Sequence, residues 1–151
     1  MANGDGLRVD VRILGLSDVQ RAARALPADA RAELREGSRR IARALAGETR
    51  AAGRAESRPA ARAASTVRAL AGATPTVVAG PHPLLFGSEF GATRRFGWYA
   101  RGRYHDSPGK QFRPHRGSGS YWFFTTVAAA QPRVDAEYRA MAEAIIDRWD
   151  A

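Results

Sequence analysis

This chain contains no cysteine, no aromatic residue before Phe86, and only one lysine, Lys110, among its 24 cationic side chains. The first absence removes disulfides, thiolate nucleophiles and cysteine-based zinc sites together. The second leaves the first 85 residues without the side chains that bury the most area each, and abundant Ala thins the core further. No apolar run approaches the roughly 18–20 residues of a membrane span. The opening MANGDGLRVD also lacks the basic-then-apolar order of a cleaved secretory signal.

What the chain does have is arginine. Its formal charge is +9, which favours an anionic partner: nucleic acid, an acidic protein surface or a layer of lipid headgroups. The excess sits in two zones, +7 over residues 19–68 and +6 over residues 90–116. A length of 151 residues suits a single domain, 1–151, able to bury a proper core.

Leu7, Val9, Val11 and Ile13 alternate with charged residues, the period of a half-buried strand over residues 6–14. Ser17 is suited to cap a helix through DVQRAARAL, and Pro27 to open a second from Ala28 to about Arg54. Leu34, Ile41 and Leu45 trace the narrow apolar stripe of that second helix. RAESRPAARAAS reads as a loose linker, and residues 65–71 and 74–80 as two short strands around a turn. Residues 81–119 show no sustained period and many breakers, so they read as a long arm. YWFFTTVAAAQ is either a strand end or the start of a helix. Pro132 then restarts a helix whose Val134, Tyr138, Met141, Ile145 and Trp149 share one face. The expected fold is α+β: a small, mostly antiparallel sheet covered by a long Ala/Arg-rich helix and a C-terminal amphipathic helix, with a Gly/Arg/aromatic arm.

Catalytic constellations are missing. His82, His105 and His115 lack metal-ligand spacing, so no metal or cofactor is expected. GSEFG is not a nucleophile elbow, and SPGKQF lacks both the earlier Gly and the Ser/Thr of a phosphate-binding loop. Glu89 and Asp106, the only acids between 57 and 134, are too far apart in sequence to argue for acid–base work. No catalytic role is assigned.

Binding is the better-supported class. Arg31, Arg35, Arg39 and Arg43 recur every four residues and form a cationic ridge. Such a ridge suits phosphate contacts without base readout, or an acidic partner, and is also what a solvated helix face looks like. Eleven of the thirteen aromatic residues lie between Phe86 and Phe124. Phe90, Arg94, Arg95, Phe96, Trp98, Tyr99, Arg101, Arg103, Tyr104 and Phe112 interleave rings with cations. Single-stranded nucleic acid and protein interfaces both use this mixture, and a local mini-core would contain it too. Without an OB-fold or RRM context, composition favours a protein interface.

An apolar residue ahead of Glu89-Phe90-Gly91, then a polar insert, the aromatic element Tyr121 to Val127 and an Ala-rich last helix resemble the tail-completion proteins of long-tailed bacteriophages. These are the neck subunits that join the head connector to the tail tube. The resemblance follows the order of elements over most of the chain and specific residues from 86 to 131. The insert between Gly91 and Tyr121 is longer than the family pattern, and Thr125 and Thr126 replace its proline.

The resemblance implies a structural virion protein, assembled in a bacterial host, that forms a ring homo-oligomer at the head–tail junction. Its implied partners are neighbouring neck and tail proteins, possible double-stranded DNA in the lumen, and no membrane. Subunit contacts would come from Glu89, Phe90, Gly91, Phe96, Trp98, Tyr99, Tyr104, Phe112, Tyr121 and Trp122. Arg31, Arg35, Arg39, Arg43, Arg94 and Arg95 are the candidates for meeting DNA or an acidic partner. A tail-terminator or other connector subunit, and a non-specific nucleic-acid-binding protein, are the alternatives.

Overall fold

The computed structural model describes residues 6–70, 72, 74–92, 112–117 and 119–150. Within them, the long helix α2 (Ala28–Glu56) is the hub. It packs against the sheet, against α3 (Arg58–Ala64) and against the C-terminal helix α5 (Phe123–Asp150). The fold is α+β, as the sequence indicates.

The sheet has three antiparallel strands in the order β1-β3-β2, from β1 (Leu7–Asp10), β2 (Arg68–Leu70) and β3 (Thr76–Ala79). Val9 faces Val77 in one pairing and Ala69 faces the same residue in the other. Central β3 is buried along its whole length, so its successive residues are covered on both faces of the sheet, and the Thr76 hydroxyl is satisfied by Asp10 at 2.7 Å. The strands are shorter than their apolar patterns. Beyond Asp10, Val11 still donates to the Pro75 carbonyl at 2.9 Å, and Val11 and Ile13 remain buried.

Four other expectations are corrected. Helix α1 (Leu16–Arg24) starts at Gly15 in the left-handed region, φ 72°, so Ser17 lies inside the helix and does not cap it. The expected linker is mostly helix α3: the Ser57 hydroxyl accepts from the Ala60 N–H at 3.2 Å, and Ala60, Ala63 and Ala64 are fully buried. Alanines alone can form a face where the neighbouring helix comes close. Residues 81–119 are not all arm, since Leu85–Phe90 form helix α4. Pro132 restarts nothing: it sits inside one continuous helix from Phe123.

Helices α2 and α5 run antiparallel. Glu33 pairs with Arg148 and accepts from Trp149 Nε1 at one end, and Glu48 meets Arg133 at 2.7 Å further along. Between and beyond these pairs, Gly37 faces Met141 and Gly53 faces the Trp122 ring. Gln131 hydrogen-bonds the backbone of Arg12 in both directions, and Asp135 accepts from the Leu14 N–H at 2.9 Å. These bonds tie the exit of β1 to α5.

Candidate functional site

The elements converge where α4 meets the start of α5. The first N–H groups of a helix have no partner inside it and together carry a partial positive charge. Here the missing partners come from α4. Glu89 is fully buried, and its carboxylate accepts from the Phe123 N–H at 2.6 Å and the Phe124 N–H at 3.3 Å. Ser120 donates its hydroxyl to the same carboxylate and accepts from the Thr125 N–H at 3.0 Å. Burial nevertheless wins over these bonds and pushes the Glu89 carboxyl above its ordinary value.

Close packing surrounds this joint. Trp122 Nε1 donates to the Ser88 hydroxyl at 3.2 Å, and the indole fills the space left by the missing side chain of Gly53. Phe112 lies over Gly87 in the same way. Gly91 has φ 74°, and a Cβ there would strike the Pro114 carbonyl, so only glycine suits that position. The Ala92 N–H donates to the Arg113 carbonyl at 2.9 Å. Ala92 and Arg113, on either side of residues 93–111, therefore lie side by side and make a base. Arg113 fastens this base to the C-terminal end of α2, pairing with the Glu56 carboxylate and donating to the Glu56 carbonyl at 2.9 Å.

Beside the base lies a half-buried aromatic strip. Phe86, Phe90 and Phe124 follow one another with ring centroids 6.3 and 6.1 Å apart. Next to them, the Arg116 guanidinium sits 3.8 Å from the centroid of the Tyr121 ring, whose hydroxyl donates to the Pro114 carbonyl at 2.6 Å. His115 Nδ1 lies 3.1 Å from the Phe90 carbonyl. A ring strip bordered by a cation is suited to covering by another protein surface.

The expected contact residues therefore separate. Phe90, within the strip, and Tyr121, beside it, remain partly open. Glu89, Gly91, Phe112 and Trp122 are corrected: they are buried in this chain's own interior and offer no surface to a neighbour. Phe96, Trp98, Tyr99, Tyr104, Arg94 and Arg95 lie outside the described residues. Phe86, Phe124, Ser88 and Ser120 join the site without having been singled out in the sequence. Ser120, directly ahead of an aromatic helix start, carried the one readable signal, that of a capping residue.

The arginine ridge is uneven. Glu36 lies 3.2 Å from Arg39 and 3.7 Å from Arg43, while Arg31 and Arg35 stand exposed in no ion pair among the described residues. Among the described residues no group of three or more His, Asp or Glu could hold a metal ion, and no helix is long and apolar enough to cross a membrane. Compared with protein-family models, curated proteins and solved structures, the chain matches none of them.

Proposed function

We propose that this chain is a structural subunit of a tailed-phage particle, a tail-completion protein that forms a ring at the head–tail junction. One observation supports this most. The Glu89-Phe90-Gly91 element, which carries the resemblance, is the joint that holds α4 to the last helix and opens into the aromatic, arginine-rich segment. An element of that kind can hold an interaction segment on a rigid body. The partly open Phe86–Phe90–Phe124 strip at its foot adds apolar surface for a neighbouring copy.

In this reading the partners are further copies of the chain and adjoining neck and tail proteins, in a virion assembled in the host cytoplasm. Density-gradient separation of particles from the source culture, with mass spectrometry of each fraction, tests it. Comigration with tailed particles at a few copies each is expected. Recovery only from the soluble fraction, bound to nucleic acid, would overturn it and favour a non-specific nucleic-acid-binding protein. Comigration at a position other than the neck would move the chain to a terminator or another connector.

A further inference from the structure

A second surface lies away from the aromatic strip. Helices α1, α2 and α5 enclose an open cleft of about 240 Å³. Arg24 from α1 and Arg31 and Arg35 from α2 form its rim, and Leu34, Ala23 and the buried Tyr138 form its floor. No carboxylate of the described residues lines the cleft. Asp18 is engaged with Arg21, Glu33 with Arg148, and Glu36 with Arg39 and Arg43, while Asp29 stands exposed on α2 outside the lining. Among the described residues, Arg24, Arg31 and Arg35 have no ion-pair partner. Three like charges therefore border an apolar floor with no acid in the lining, an arrangement that favours an anionic occupant.

We propose that this cleft docks an acidic protein segment that carries an apolar side chain beside its carboxylates. Charge complementarity requires the acid, and the carbon floor selects the kind of acid. A phosphate strand gains nothing from Leu34, Ala23 and the Tyr138 ring, whereas an aliphatic neighbour of a carboxylate is desolvated there. Glu36 lies between the two distal members of the ridge and offsets one of their two charges, so the uncompensated charge is densest at Arg31 and Arg35, beside the cleft. The cleft is also smaller than the roughly 300–1,000 Å³ of small-molecule pockets, which suits side chains of a segment crossing it. Arginine forks bind carboxylates in bidentate geometry, so register as well as charge is recognised. This surface does not depend on the ring reading: particle recovery tests that one, and peptide binding tests this one.

The experiment is fluorescence anisotropy on the full chain with a short fluorescein-labelled peptide alternating Glu and Leu. Comparison probes are a peptide of equal charge with Ser in place of Leu, and a short DNA duplex. Arg31→Ala combined with Arg35→Ala is expected to weaken Glu/Leu binding about tenfold, against less than about twofold for Arg43→Ala. The Glu/Ser peptide is expected to bind several-fold more weakly, and circular dichroism to show the same helix content in every variant. The proposal is overturned if the Glu/Leu peptide does not bind, or if both peptides bind alike and respond equally to all the arginine changes. Tighter binding of the duplex, lost in the same double variant and falling steeply with salt, would overturn it in favour of nucleic acid.

Discussion

A buried carboxylate is an expensive residue, and Glu89 shows what offsets its cost. Its oxygens receive the Phe123 and Phe124 N–H groups and the Ser120 hydroxyl, at the positive end of a 28-residue helix. Glu89→Gln keeps the shape but offers one acceptor oxygen, and its NH₂ faces donors. The expected loss is about 1–3 kcal/mol in urea unfolding, the cost of stranded buried polar groups. The pH dependence has a definite sign. Burial raises the Glu89 carboxyl, so the folded state holds this proton more tightly than the unfolded chain. Its contribution is complete below the unfolded value, about 4.3, and is lost as pH rises through the higher folded one. The deficit of Glu89→Gln is therefore expected to be largest at acidic pH and to shrink toward neutrality; a deficit that grows with pH would contradict this burial account. The sequence marks Glu89 as a rare acid in a basic stretch but hides its partners. Its bonds go to another element more than thirty residues on, and no spacing rule describes a helix capped from outside.

At the scale of elements, the α2–α5 packing was readable where large apolar residues repeat with the helical period. Leu34, Ile41 and Leu45 on one helix, and Val134, Tyr138 and Ile145 on the other, are all buried. Trp149 fits the same spacing but is 39% exposed, because its indole reaches out to Glu33 at the end of the helix. What was not readable depends on small residues, whose burial leaves no periodic signal. Gly53, near the expected end of the second helix, lies inside α2 instead, at a point where a Cβ would come within 2.6 Å of the Ala64 methyl and 2.9 Å of the Trp122 ring. Gly53→Ala is thus expected to destabilise, overpacking costing about 1–3 kcal/mol against the ~1 kcal/mol of helix propensity gained. Gly47→Ala in the same helix meets only Arg50 Nη2 at 3.8 Å, so it should stabilise by up to ~1 kcal/mol. Thermal unfolding of the two variants side by side separates packing from propensity. Ser38 extends the test: its buried hydroxyl has no hydrogen-bond partner among the described residues, so Ser38→Ala is expected to stabilise by about 1 kcal/mol. Destabilisation by that change would show that the hydroxyl is satisfied in solution.

At the scale of the whole molecule, composition marks residues 86–124 as one aromatic zone, and the structure divides it. Phe123 and Trp122 belong to the main core, Phe112 packs on Gly87 and Ala92, and Phe86, Phe90 and Phe124 line the surface. Composition could not make that division, because a ring next to an arginine reads the same whether it turns inward or outward. The described residues supply a contiguous main core, and Ala92 and Arg113, on either side of 93–111, meet in a hydrogen bond. Replacing residues 93–111 with a short Gly/Ser link should therefore leave the fold intact. The ring reading adds a second expectation: the shortened chain, like Trp98→Ala with Tyr99→Ala, should no longer assemble in size-exclusion chromatography with light scattering. Trp122→Ala, by contrast, should cost about 3–5 kcal/mol of stability, as core truncations of this size do. A shortened chain that unfolds would place part of 93–111 in the core, against the argument from the closed base. One that folds and still assembles would shift the subunit contacts to the Phe86–Phe90–Phe124 strip, where Phe90→Ala then becomes the change expected to break the assembly.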